Sequence, residues 1–227
     1  MPRIKNLTRL CELARFLVTQ RLVGFAIRDE PYLDEESIAM FKSFLHRSSF
    51  YLEYGSGGST VLAARLNKRF ISVETDRYYL RSVHKKIGSL APHQRLVYAD
   101  VGFTGPWGTP FWRRLTPRRS KRWSDGLEAP WRFIEHNDSP ALALPDLILI
   151  DGRFRVAATL ICCLHLAVSP DTHIFVDDYA ECAHYHVIEK YAKLKTTVGR
   201  MAVFQPAPSV SIQDLRAAIA DYSLDLR

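Results

Sequence analysis

Apolar positions along the chain change period near residue 50. Before it, Ile4, Leu7, Leu10, Leu13, Ala14, Leu17 and Val18 recur at helical spacing with Lys5 and Arg9 opposite, which predicts a helix over 3–27. Asp34-Glu35-Glu36-Ser37 opens a second helix that carries Ile38, Met40, Phe41 and Phe44 to about His46. Acids at its start suit the positive end of the helix dipole. From Phe50 onward short apolar runs alternate with helical segments. The runs predict strands at Phe50–Tyr54, Phe70–Glu74, Arg95–Ala99, Leu147–Asp151 and His173–Val176, with helices at Ser59–Leu66, Asp76–Ile87, Val156–Val168 and Ala183–Leu194.

Leu147-Ile148-Leu149-Ile150 is apolar at every position, which implies burial on both faces, as in a parallel sheet covered by helices. Alternation of this kind gives an α/β fold with a doubly wound, mostly parallel sheet. Thr197–Phe204 adds an edge strand and Ile212–Tyr222 a closing helix. The expected organisation is a helical extension over 1–48 and an α/β domain over 49–227.

One stretch, about 101–137, breaks the rhythm. Gly102, Gly105, Pro106, Gly108, Pro110, Pro117, Gly126 and Pro130 argue against regular elements there. The four tryptophans, Trp107, Trp112, Trp123 and Trp131, all fall in it, as does the basic run Arg113, Arg114, Arg118, Arg119, Lys121 and Arg122. Aromatic faces stack on flat rings and arginines grip carboxylates and phosphates, so this insertion is a candidate acceptor-binding element. A packing flap with solvated arginines is the plainer alternative.

The sharpest chemical signal is Glu53-Tyr54-Gly55-Ser56-Gly57-Gly58-Ser59-Thr60, where a strand ends, a glycine turn follows and a helix begins. Glycine lets a ligand approach the backbone, and a helix start offers free N–H groups. Glu74 ends the second strand, where a carboxylate accepts both hydroxyls of a ribose, and Asp100 follows the third. Thr60 stands where a dinucleotide fingerprint requires glycine, and no Gly-Lys-Ser/Thr follows for a phosphate loop.

The segment resembles the first motif of class I S-adenosylmethionine-dependent methyltransferases, an acid followed by Gly-x-Gly at the end of the first strand. Glu53, Gly55 and Gly57 match, and Ser59 replaces the motif's frequent third glycine. The resemblance covers about 50–180 and implies a Rossmann-like fold. It implies that Glu53, Tyr54, Gly55, Ser56 and Gly57 cradle the amino-acid end of S-adenosylmethionine. Glu74 and Thr75 would then hold the ribose, and Asp100 would lie near the adenine.

A second group of acids, Asp151, Asp177 and Asp178, lies at the C-terminal ends of the fourth and fifth strands. That edge is where open α/β sheets bind ligands. Three converging carboxylates need a divalent metal or a positive group to neutralise them. The placement is similar to metal-dependent O-methyltransferases of the catechol type and, more loosely, to glucuronoxylan 4-O-methyltransferases. The similarity implies magnesium or manganese at these acids, with Asp151 and Asp177 serving catalysis. His184 is a candidate base on an acceptor hydroxyl. The structural alternatives are Asp178 as a helix cap and Asp151 paired with Arg153 or Arg155 at the surface.

Composition narrows the partner only slightly. A net charge of +7 over 227 residues fits an anionic small-molecule or saccharide acceptor. A nucleic-acid acceptor is less favoured, because no Asn/Asp-Pro-Pro-Tyr/Phe signature is present. A non-catalytic cofactor-binding module and a homodimer also stay open. Cys11, Cys162, Cys163 and Cys182 show no paired spacing for zinc or disulfides, and Cys162 and Cys163 read as core. No apolar stretch is long enough to span a membrane, and charged residues interrupt any signal-peptide core. A cytoplasmic protein is expected.

Overall fold

A computed structural model describes residues 11–112, 114, 116–135, 144–167 and 169–226. Among these residues seven strands form one sheet: β1 (Phe50–Tyr54), β2 (Arg69–Glu74), β3 (Gln94–Tyr98), β4 (Leu147–Ile150), β5 (His173–Val176), β6 (Ala192–Val198) and β7 (Met201–Pro206). Their order is β3-β2-β1-β4-β5-β7-β6. The first five are parallel, while β7 runs antiparallel to β5 and β6 antiparallel to β7. The order reverses between β1 and β4, and the crevice at that switch point is where such sheets bind ligands.

Alternation explains why β4 is apolar throughout. Leu147 and Leu149 join a core with Phe41, Leu45, Tyr51, Phe70 and Phe175 on one face. Ile148 and Ile150 join Val156, Leu160, Ile161 and Cys162 on the other. The first face is covered by α2 (Glu35–Arg47), which Asp34 caps by accepting from Ser37 N at 3.0 Å, together with α3 (Gly58–Arg65) and α4 (Arg77–Ile87). The second is covered by α5 (Pro117–Leu127), α6 (Ala129–Glu135), α7 (Arg155–His165) and α8 (Ile212–Tyr222).

The first helix, α1, is described from residue 11; the expected residues 3–10 lie outside the described ones, as does Val168 of the expected fourth-strand helix. α1 closes in a π-type turn at Thr19–Val23 rather than running to 27. Gly24, at φ +89°, turns the chain there, and its N–H returns to Thr19 O. Gln20 ties that end of α1 to the domain: its Nε2 donates to Asp76 Oδ2 at 2.5 Å and to Thr104 O at 3.2 Å.

Two sequence expectations are corrected. The helix expected at Ala183–Leu194 is a 3-10 segment, Ala183–Lys190, followed by strand β6. β6 pairs with β7 through a turn at Gly199, φ +54°, so the expected single edge strand is a hairpin. Ala192-Lys-Leu-Lys-Thr-Thr-Val alternates with period two and ends β-branched, a strand pattern that the preceding helical pattern masked.

The insertion is the second correction, because it contains α5 and α6. Pro117 and Pro130 sit in first turns, where no backbone N–H is needed, so they start these helices rather than break them. Gly126 lets α5 close on the end of β3, since a side chain there would meet Ala99 Cβ at 3.2 Å.

Candidate functional site

Glu53 lies beneath the glycine turn. It is wholly buried, and three hydroxyls donate to it: Ser59 Oγ, Thr60 Oγ1 at 2.5 Å and Ser72 Oγ at 2.8 Å. Thr60 Oγ1 also accepts from Gly57 N at 2.9 Å. Ser59 and Thr60, the two departures from the glycine patterns, are therefore the residues that bind the buried acid and fix the turn. Burial still pushes the Glu53 carboxyl up, with the hydroxyls opposing it. Ser56 is buried too, its Oγ 2.7 Å from Ser72 Oγ.

The two glycines differ in what they serve. Gly55, at φ +102°, is pressed on the fourth-strand loop, where an added Cβ would lie 2.6 Å from Gly152 N. Gly152 faces the Tyr54–Gly55 backbone less tightly, where an added Cβ would lie 3.1 Å from Gly55 N. Gly55 is thus required by the fold at the switch point. Gly57 is in extended backbone, and an added Cβ would meet only Tyr79 Oη, in ordinary van der Waals contact at 3.7 Å. Tyr79 packs at a tilt against Phe25, ring centroids 5.2 Å apart, and burial, with Glu74 next, pushes its hydroxyl up to about 12.

Glu74 faces the cleft between the ends of β1, β2 and β3. Tyr54, Gly55, Glu74 and Thr75, all expected at a cofactor, line that cleft, together with Gly126 and Arg153, which the sequence does not place at a cofactor. Among the described residues every protein donor to Glu74 reaches one oxygen: Thr75 N at 2.6 Å, Asp76 N at 2.9 Å and Thr75 Oγ1 at 3.2 Å all meet Oε1. Oε2 keeps its acceptor capacity for a ligand, which is the property a ribose diol requires. The turn Pro106–Gly108 covers this carboxylate. Thr75 Oγ1 donates to Gly108 O at 3.1 Å, and Arg153 Nε to Trp107 O at 2.9 Å.

Burial raises the Glu74 carboxyl from 4.5 to about 7. The folded protein therefore retains a proton that the unfolded chain gives up. The stability from that proton is complete below about pH 4.5 and is lost as pH rises through about 7. Denaturant midpoints measured from pH 5 to 8 should fall, and Glu74→Gln should flatten part of that fall. An unchanged slope in the variant would contradict the assignment.

Asp100 is half exposed and already engaged. Its Oδ1 accepts from Gly102 N at 2.9 Å and Tyr98 Oη at 3.0 Å, and its Oδ2 lies 3.5 Å from Arg122 Nε. It ties the end of β3 to α5. The insertion's tryptophans divide in two. Trp123 and Trp131 are core: Trp123 Nε1 donates to Val101 O at 3.0 Å and Trp131 Nε1 to Tyr54 Oη at 3.0 Å. Trp107 and Trp112 are exposed.

The strand-end acids do converge, and arginines neutralise them. Arg155, buried at the start of α7, donates through Nη2 to Asp151 Oδ1 at 3.1 Å and through Nη1 to Asp178 Oδ2 at 2.5 Å and Asp177 O at 3.1 Å. Arg200, on the β6–β7 turn, forks onto Asp177 with Nε–Oδ1 and Nη2–Oδ2 both at 2.8 Å. The backbone is strained here, with Phe154 and Asp178 left-handed at φ +61° and +55°. Burial, then the Asp177 carboxylate, push Asp151 well above the usual carboxylate range.

The expected metal at Asp151, Asp177 and Asp178 is not supported. The acids' oxygens face two guanidinium groups, and among the described residues no group of three or more His, Cys, Asp or Glu is arranged to hold a metal ion. Asp178 is not a helix cap either; Cys182 precedes the 3-10 segment. His184 is not brought to the acids. Its Nε2 lies 2.6 Å from Asp225 Oδ2, and its ring packs on Tyr222 and Tyr185.

A doubly wound, mostly parallel sheet with an acid-anchored glycine turn after its first strand defines a Rossmann-like α/β protein. A solved structure of a methyltransferase-like protein from Silicibacter pomeroyi is 30% identical, with a TM-score of 0.65, over 86% of this chain and 99% of that one. The chain belongs to the class I S-adenosylmethionine-dependent methyltransferase family. Two other solved structures share less. The O-methyltransferase TomG of Streptomyces achromogenes, with S-adenosylmethionine, is 15% identical over 86% of this chain and 89% of that one, TM-score 0.44. The N-methyltransferase NodS of Bradyrhizobium japonicum, with S-adenosyl-L-homocysteine, is 12% identical over 86% and 97%, TM-score 0.42. No protein-family model and no curated protein sequence matches the chain. Among the described residues no helix is long and apolar enough to cross a membrane.

Proposed function

We propose that this protein transfers a methyl group from S-adenosylmethionine to a hydroxyl of an anionic small molecule or saccharide. The observation that carries the cofactor assignment is the Glu74 carboxylate, covered and buried, with Oε2 left to accept two ribose hydroxyls beside the β1–β4 switch point. The glycine turn holds the amino-acid end, where Gly57 leaves room and Tyr79 Oη faces the same space. The adenine lies toward Ala99, Gly126 and Leu127.

When bound, S-adenosylmethionine supplies a methyl already activated by its sulfonium, so the protein's tasks are positioning and proton removal. Asp151 suits the second task. It follows β4 beside the switch point, and burial and Asp177 raise its carboxyl well above the usual carboxylate range, which makes it a stronger base than a solvated carboxylate. Arg200 compensates Asp177, while Arg155 bridges Asp151 Oδ1 and Asp178 Oδ2 and so orients Asp151 as the proton acceptor. Asp177 is a positioning residue in this arrangement.

The test uses labelled S-adenosylmethionine with phenolic acids, uronic-acid oligosaccharides and total RNA as acceptors. Label should enter a phenolic acid or a uronic-acid saccharide. Asp151→Asn should reduce transfer at least about a hundredfold, as loss of a general base does, while S-adenosylhomocysteine affinity stays within about twofold, because Asp151 lies beyond the ribose. Label in RNA alone would overturn the acceptor class, and full turnover in Asp151→Asn would overturn the base.

A further inference from the structure

Beyond the end of β3, a cavity of about 360 Å³ opens between the 101–103 turn and α5, lined by Phe103, Trp112, Arg118, Arg119 and Arg122. Its size falls in the range of small-ligand sites. Arg122 faces Asp100, but among the described residues neither Arg118 nor Arg119 has an ion-pair partner. Both sit in the first turn of α5, which contains no acid. Cations there face the positive end of the helix dipole, so the chain's own electrostatics give no reason for them. The aromatic wall is only partly covered. Arg21 lies over the Phe103 ring at 4.3 Å and Phe111 meets Phe103 and Trp112 edge-on at 5.8 and 5.3 Å, which leaves Trp112 62% and Phe103 41% exposed.

We infer that this cavity is a second ligand site, which takes an aromatic oxyanion: a flat ring against Trp112 and Phe103, with its phosphate or carboxylate on Arg118 and Arg119. Guanidinium forks match the geometry of either anion. The site is separate from the proposed methyl-transfer edge. Asp151 follows β4, three strands from β3 in the sheet order, a separation of about 14 Å at the usual strand spacing. The cavity shares no lining residue with the cofactor cleft, so a ligand here and a bound cofactor are neighbours rather than competitors. The inference is read by binding alone and does not depend on methyl transfer.

Phenyl phosphate, benzoate and inorganic phosphate are titrated at about 0.15 M ionic strength, where long-range attraction is screened, with S-adenosylhomocysteine saturating. Tryptophan fluorescence reports on Trp112. Phenyl phosphate or benzoate should bind saturably and about tenfold more tightly than inorganic phosphate, the better of the two naming the anion. The double variant Arg118→Ala/Arg119→Ala should weaken that binding at least about tenfold, as loss of charge-assisted bonds does, with S-adenosylhomocysteine affinity unchanged. Trp112→Ala, followed by calorimetry, should bring the ring compound down to the level of inorganic phosphate. The inference is overturned by an absence of saturable binding, by equal binding in the arginine variant, by inorganic phosphate binding as tightly as the ring compounds, or by displacement with S-adenosylhomocysteine.

Discussion

Arg155→Met should lower the unfolding free energy by about 3 kcal/mol, the lower end of the cost of breaking a buried ion pair, since its partners are partly solvated. For a chain of this length that corresponds to a fall in Tm of roughly 6–12 °C. The cause is specific. Arg155 is 7% exposed and joins Asp151, Asp178 and two backbone carbonyls, so its removal leaves the half-buried Asp151 carboxyl beside Asp177 with no cation between them. Methionine fills the volume but supplies no charge. Arg216→Met, at an exposed position on α8, is the control and should change stability by no more than about 0.5 kcal/mol. Thermal unfolding at pH 7 decides between them, and an Arg155 variant as stable as the control would mean that the acids are not held by this cation.

The second large effect concerns the cofactor. Glu74→Gln should weaken S-adenosylhomocysteine binding by about ten- to a hundredfold, because a neutral amide replaces the charged partner of the ribose hydroxyls. The fold should survive, since Gln relieves the burial of charge that pushes the Glu74 carboxyl up to about 7. Affinity in the parent should rise with pH through that value, as the ionised carboxylate is the better acceptor, and Glu74→Gln should remove this dependence. Isothermal titration at pH 6 and pH 8 on both proteins measures it. Equal affinity in parent and variant would place the ribose elsewhere.

Local pattern carried much of the fold. Phe50–Tyr54, His173–Val176 and Ile212–Tyr222 are observed at the bounds that their periodicity and flanking residues indicate. Buried strands and capped helices write their limits into neighbouring residues. The β6–β7 hairpin and the insertion helices were harder, for opposite reasons. Tyr185 and Ile188 sustain a helical pattern into a segment that pairs as a strand, while Pro117 and Pro130 look like breakers but begin helices.

At the site, legibility followed sequence distance. Glu53, Gly55 and Glu74 stood out because a strand end followed by glycine is a local signal. The hydroxyls under Glu53 were visible only as departures from a motif, and their purpose appears once Ser59, Thr60 and Ser72 meet one carboxylate. Arg155 lies four residues from Asp151 on the same chain turn, a spacing that allows pairing but does not announce burial. Arg200 is 23 residues from Asp177 and reaches it only because the hairpin folds back, so the acids read as an unfilled cation site. Gly152 and Tyr79 owe their roles to contacts with Gly55 and Gly57 from separate elements.

The position of the cofactor is tested most directly by a crystal structure grown with S-adenosylhomocysteine. Both ribose hydroxyls should lie about 2.5–3 Å from the Glu74 carboxylate, with Oε2 accepting at least one of them. The amino-acid end should lie against Gly57 and Tyr79. Clear density for the ligand away from the ends of β1 and β2, with Glu74 untouched, would contradict it.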